Sequence, residues 1–168
     1  GFSPCPNDTF IFDALINKNL QPELKAEAYL ADVDDLNKNA LAGNLDVSKL
    51  SFGVLASVSE QYQVLDAGSA LGFGCGPLLI SRTAIEAKAD LINPLKIAIP
   101  GKSTTANLLL SMAFPEATNK EVYVFSDIEE AVLSGIVDVG LIIHENRFTY
   151  QEKGLHKIID LGAYWEER

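Results

Sequence analysis

Cysteine is scarce in this chain of 168 residues: there are two, Cys5 and Cys75. Thiols so few and so far apart make neither a metal site nor a redox Cys-x-x-Cys motif. The sequence leaves a disulfide between them open, and a reducing compartment is the simpler inference. Cationic residues are outnumbered, with 13 Lys and Arg against 23 Asp and Glu and a formal charge of −10. That balance argues against a nucleic-acid partner or an anionic membrane surface. It does not exclude a small anionic ligand, because local amides and one or two cations override the global sign. Long apolar runs are missing as well, so no stretch reaches the length of a membrane span. The chain opens on Gly1-Phe2-Ser3 with no n-region or h-region, and no secretory signal is visible. Gly1-Phe2-Ser3 reads as the tail of a strand, so the native N-terminus is expected upstream of Gly1.

Two nucleotide motifs are also lacking. Gly68-Ser-Ala-Leu-Gly72-Phe-Gly74-Cys-Gly76-Pro77 is rich in glycine. Its spacing is GxGxG, however, and a strand rather than a helix follows, so it is no dinucleotide fingerprint. Permissive glycines without a helix behind them suit a crossover or hinge. Gly101-Lys102-Ser103-Thr104 resembles the end of a P-loop, but the position that Walker A reserves for its first glycine is Lys96. What survives is a strand, a tight turn and a helix start rich in hydroxyls, which suits a carboxylate or similar anion. An ordinary Ser/Thr cap is the plain alternative.

What is present is an ordinary globular composition, 48% hydrophobic and 21% charged, enough for one or two small domains. The turn Ser3-Pro4-Cys5-Pro6-Asn7-Asp8 excludes helix and central strand. Asn7 or Asp8 is expected to cap a helix whose apolar face carries Phe10, Ile11, Ala14 and Leu15. Strands are predicted over 24–30, 45–51, 78–81, 95–99, 122–125, 137–143 and 158–161. Helices are predicted over 32–42, over 52–61 as a short helix or turn, after Lys102, and after Ser126. The helix after Lys102 would turn Leu108, Leu109, Met112 and Phe114 inward; Ser126 and Glu129 read as a capping box. Tyr164 and Trp165 close the chain with nothing visible to cover them.

The windows Leu41-Ala-Gly43-Asn-Leu-Asp46-Val47 and Leu133-Ser-Gly135-Ile-Val-Asp138-Val139 share Leu, Gly, Asp and Val in register. Both read as a helix, a glycine stop, and a strand opening on Asp-Val, with the Asp tying down the turn locally. The repetition suggests two lobes on one plan, each bringing an equivalent strand end to a shared cleft. Lys49-Leu50-Ser51 and Ile142-Ile143-His144 would then be counterparts. His144 follows a buried strand at its carboxyl edge, where open α/β sheets bind ligands, and histidine both takes and returns protons near neutrality. The plain alternative is a histidine that only caps the strand end.

Ser3-Pro-Cys-Pro-Asn-Asp-Thr-Phe10 and Ile142-Ile-His-Glu-Asn-Arg-Phe-Thr-Tyr150, supported by Lys49-Leu50-Ser51 and Ser103-Thr104-Thr105-Ala106, resemble the 1,4-dihydroxy-6-naphthoate synthases of the futalosine route to menaquinone. The resemblance runs in order over essentially the whole chain. It implies an α/β fold of two lobes like the type II periplasmic binding proteins, with the C-terminal part of lobe 1 expected to be missing. Lobe 1 would cover 1–76 and lobe 2 77–168, with a hinge near 68–77. The implied activity is a cytoplasmic carbon–carbon lyase that converts cyclic dehypoxanthine futalosine to 1,4-dihydroxy-6-naphthoate. No metal and no organic cofactor is implied, and the partner is a small anionic aromatic substrate. The family's catalytic base falls on His144, and its substrate contacts fall on Lys49, Leu50, Ser51, Thr104 and Thr105. Chorismate dehydratase of the same route and a non-enzymatic solute-binding protein share the architecture and are the alternatives.

Overall fold

In the computed structural model, which describes residues 1–17 and 22–168, short polar segments start helices where extended segments end. The described residues divide into two units, Gly1–Leu71 and Gly72–Arg168.

In Gly1–Leu71 the extended segments barely pair. Phe2 N–H donates to Tyr29 O at 3.0 Å, and Ala31 N–H returns to Phe2 O at 3.3 Å. On the other side the Gly1 amino group donates to Val47 O at 2.7 Å, and Lys49 N–H donates to Gly1 O at 2.8 Å. Gly1 and Phe2 thus lie between Tyr29–Ala31 and Val47–Lys49. Within the strands expected over 24–30 and 45–51 the pairing is confined to these parallel contacts with Gly1 and Phe2. Three helices follow these segments: α1 (Pro6–Ile16), α2 (Val33–Leu41) and α3 (Phe52–Val58). Pro6 is the first residue of α1, where its missing N–H costs nothing. The cap is neither Asn7 nor Asp8 but Cys5, whose Sγ accepts the Asp8 N–H at 3.4 Å. Phe10 is 84% exposed, and Phe12 takes the inward place, stacked on Phe2 at 4.5 Å. In α2, Leu36 and Ala40 are buried, whereas Leu41 turns outward.

Gly72–Arg168 is built on a sheet of five strands: β1 (Leu78–Ser81), β2 (Ile97–Ile99), β3 (Lys120–Val122), β4 (Val139–Ile142) and β5 (His156–Asp160), in the order β3-β2-β4-β1-β5. β2 runs parallel to β3 and β4; β1 runs antiparallel to β4 and β5. The pleat sorts the side chains. Leu79, Ile97, Ile99, Val139 and Leu141 face one cluster with Leu110 of α5 (Thr105–Ala113), while Leu78, Ile80, Ala98 and Ile142 face the other with Ile128 and Val132 of α6 (Ile128–Leu133). Ile92 of α4 (Ala89–Ile92) joins the first cluster, and α7 (Asn146–Thr149) and α8 (Leu161–Glu166) follow β4 and β5.

Five expectations change here. β3 spans Lys120–Val122 rather than 122–125, because β2 offers three residues to pair with; Val124 and Phe125 pass its end into a 3-10 turn. The phase of α5 buries Ala106, Leu110 and Phe114, leaving Leu108 and Met112 on the outer side. No capping box forms: Ser126 donates to the Asp127 carboxylate, and Glu129 bonds to Asn146 and Lys153. Asp138 reaches beyond its own turn to accept the Lys96 N–H at 2.8 Å. Tyr164 is covered more than expected, with its hydroxyl donating to Met112 O at 3.0 Å, whereas Trp165 is exposed.

The repeated window is real in the backbone. α2 and α6 each end on a glycine with positive φ, Gly43 at 69° and Gly135 at 77°. The strand order second-first-third also recurs, as Tyr29–Ala31, Gly1–Phe2, Val47–Lys49 in one unit and β3, β2, β4 in the other.

Gly76 and Gly162 touch backbone to backbone. A Cβ on Gly76 would lie 2.3 Å from the Gly162 Cα, and one on Gly162 would lie 2.7 Å from the Gly76 Cα. No rotamer relieves such a clash. Gly76→Ala is expected to destabilise the fold by about 2 kcal/mol or more. A thermal melt of the variant within a degree of the parent would contradict this contact.

Candidate functional site

Helices that follow parallel strands begin at the carboxyl edge of the sheet, which is where each unit concentrates polar side chains. In Gly1–Leu71 the centre of that edge is Asp8, which is 5% exposed. Its carboxylate accepts from the Ser3 hydroxyl at 2.7 Å, the Ser3 N–H at 3.2 Å and the Lys49 ammonium at 3.0 Å. Burial alone would push this carboxyl up; the Ser3 and Lys49 hydrogen bonds and the Lys49 charge outweigh it and hold it below the usual carboxylate range. Lys49 is thus anchored near the start of α1 with its side chain still 20% exposed.

Ser51 is fixed from behind by Asn37, which is fully buried on α2. Asn37 donates to the Ser51 hydroxyl at 3.0 Å and accepts the Ser51 N–H at 3.0 Å. A hydroxyl that accepts in this way offers its own proton to a ligand. Leu50 packs against Ala40, Val54 and Val58 and so pins the segment between the two polar residues. Lys49, Leu50 and Ser51 all line a groove of about 980 Å³ within this unit, along with Ile11, Phe12 and Leu15.

In Gly72–Arg168 the loops after β2 and β4 leave the same edge, because those strands are adjacent and parallel. Thr104 caps α5: its hydroxyl donates to Gly101 O at 2.8 Å and accepts the Asn107 N–H at 3.2 Å. The hydroxyl is therefore spent on the cap, and Thr105 opens the first helical turn half-buried. His144, two residues beyond β4, is exposed, and its ring meets Phe125 edge-on at 5.6 Å. Its φ is 60°, and among the described residues no other non-glycine has a positive φ. A side chain in that region costs about 1–3 kcal/mol and persists where neighbours over-determine it. The neighbours here are consecutive. Asn146 donates to Glu129 at 2.7 Å; Arg147 donates to Gly76 O and Gly74 O at 2.7 Å each and to Asp160 at 2.6 Å. Asp160 is also held below the usual range, with Arg147 and the amides of Ala163 and Gly162 overcoming its burial.

Among the described residues no helix is long and apolar enough to cross a membrane, and no group of three or more His, Cys, Asp or Glu is placed to hold a metal ion. The supporting residues Asp8, Asn37, Glu129, Arg147 and Asp160 escape sequence reasoning. Asp8 and Glu129 read as caps, and each of the five has a partner 13 or more residues away in the chain. Asp8 and Arg147 had one signal, their places inside the two long motifs at 3–10 and 142–150.

This is an α/β protein with the fold of the periplasmic-binding-protein class. A binding protein component of an ABC phosphonate transporter from Pseudomonas aeruginosa shares that fold, with a TM-score of 0.56 at 15% identity, over 94% of this chain and 63% of that one. Within that class the chain belongs to the menaquinone biosynthesis family, whose model matches residues 1–168. It is 46% identical to the "1,4-dihydroxy-6-naphtoate synthase" of Thermus thermophilus, over all of this chain and 60% of that protein. The enzyme of the same name from Streptomyces coelicolor is 44% identical, over 98% of this chain and 59% of that protein. Protein AF1704 of Archaeoglobus fulgidus superimposes with a TM-score of 0.87 at 33% identity, over 98% of this chain and 60% of that one. The chain therefore spans about three fifths of the length of these relatives.

The Asp8 pair carries a pH signature. A folded carboxyl below its unfolded value of about 3.9 contributes stability that is full above that value and is lost as pH falls through the lower folded value. Asp8→Asn is expected to be less stable at neutral pH and to lose less of its remaining stability on acidification below about pH 4. Urea midpoints at pH 7 and pH 3 check this; equal acid losses in parent and variant would remove Asp8 as a source.

Proposed function

We propose that this chain takes part in menaquinone formation as a cytoplasmic carbon–carbon lyase, converting cyclic dehypoxanthine futalosine to 1,4-dihydroxy-6-naphthoate. Family membership gives the reading its direction. The observation that carries it is His144, an exposed imidazole held at φ 60° just past the carboxyl end of a buried strand. Strain of that kind gathers at functional sites.

Neutral His144 removes a proton from the bound substrate and so starts the carbon–carbon cleavage that ends in an aromatic ring. The start of α5, with Thr104 and Thr105, receives the substrate carboxylate, since helix N-termini favour anions. Thr104 acts there by shaping the turn and Thr105 by contact. The Lys49 ammonium, the Leu50 backbone and the Ser51 hydroxyl fix the other end of the molecule. We infer lobes over 1–76 and 77–168 with the glycine-rich hinge at 68–77.

Following naphthoate release from cyclic dehypoxanthine futalosine tests this directly. His144→Ala is expected to lower kcat by about 100-fold or more. Ser51→Ala is expected to raise KM with a smaller effect on kcat. Full turnover by His144→Ala removes the base assignment. Binding of the naphthoate by the parent chain without any turnover would instead favour a solute-binding role.

A further inference from the structure

Glu129 is 3% exposed on α6, yet only half of its carboxylate is used. Oε2 accepts from Asn146 Nδ2 at 2.7 Å and from Lys153 Nζ at 2.7 Å, while Oε1 is buried without a hydrogen-bond partner. Leaving a buried carboxylate oxygen unsatisfied is costly, so this arrangement is not the one that stability alone selects. The ion pair with Lys153 already neutralises the charge. The bond to Asn146 is the additional element, and it ends in the turn that begins at the strained His144.

Phe125, which meets the His144 ring at 74° and 5.6 Å, lies four residues before Glu129. The same short stretch, 125–129, therefore supplies both the surface for the imidazole and the anchor for the turn that carries it. Arg147, the next residue after Asn146, is tied to Asp160, Gly74 and Gly76. Arg147 is fixed on one side and its N–H donates to His144 O at 3.2 Å, so the Glu129–Asn146 bond is the side-chain tie that holds residues 144–146 from the other side. Without it the His144 backbone is free to relax toward negative φ, which would swing the ring off Phe125.

We propose that Glu129, acting through Asn146, is the positioning residue that holds His144 in its strained backbone conformation and its ring against Phe125. This rests on His144 being the base, but the geometric part is testable without turnover. The chain has two histidines, His144 and His156, so its ring Cε1–H spectrum is simple and His144→Gln assigns it. Asn146→Ala removes the anchor while keeping the Glu129–Lys153 pair, and Glu129→Gln keeps an acceptor for Asn146.

In Asn146→Ala the nuclear Overhauser contacts between the His144 and Phe125 rings are expected to disappear, with the His156 signal unmoved. Glu129→Gln is expected to retain most of them. In turnover, kcat of Asn146→Ala is expected to fall at least about 10-fold with KM within about 2-fold, as displacement of a catalytic group predicts. A folded Asn146→Ala with both the ring contacts and kcat of the parent overturns the proposal, even if His144→Ala is inactive. Lost ring contacts with unchanged kcat would uphold the positioning and remove His144 from the role of base.

Discussion

Three parts of the unit Gly72–Arg168 meet at one guanidinium. Arg147 sits in the turn after His144 and binds two carbonyls of the glycine run and the carboxylate of Asp160. The other oxygen of that carboxylate caps α8 through the amides of Gly162 and Ala163. The pair is mostly shielded from water, with side chains 14% and 15% exposed. The planar fork spreads its donors over two nitrogens, Nη1 to Gly76 O and Nη2 to Gly74 O and Asp160, a rigid span that the single nitrogen of lysine does not reproduce. The position of the candidate base thus depends on where β5 ends and on the course of residues 74–76. Chemistry at the sheet edge and order at the unit's border are one problem, solved by one ion pair.

The two units place different chemistry on the same scaffold. In each, a capped helix follows the central extended segment, a second helix ends on a left-handed glycine, and a third follows the last segment. At the helix start, one unit uses the sulfur of Cys5 and the other the hydroxyl of Thr104. At the end of the last segment, one presents an ammonium and a hydroxyl locked by Asp8 and Asn37, and the other an imidazole locked by its turn. An ammonium with a hydroxyl, and an imidazole, are thereby set on equivalent backbone positions, each with a supporting residue behind it.

Much of this was legible in the sequence because it is local. A run of branched residues closed by a polar cluster marked β4 and put His144 just past its end. Helix ends were legible at Gly43 and Gly135 because a left-handed residue is a property of its own neighbourhood. Partners distant in the chain were not legible. Nothing near Asp8 announces Lys49, and the obvious local use of an acid there, a helix cap, is taken by Cys5. The pairing of 24–30 was not legible for a related reason: alternation reports a preference for extension, whereas its partner, Phe2, lies far away in the chain. The helix phase of α5 was misread because Leu108 and Met112 are as apolar as the residues that are buried, and only the sheet decides which face it covers.

The contact of Gly76 with Gly162 has an evolutionary consequence. Most tight contacts in a core lie between side chains, so one substitution can be rescued by a smaller partner. Here each missing methyl group faces main chain, which mutation cannot shrink. Neither position has a compensating neighbour, and the two should be invariant separately rather than as a covarying pair. A comparison of related sequences that searches for correlated change would pass over this contact. It would be recorded only as silence at two columns.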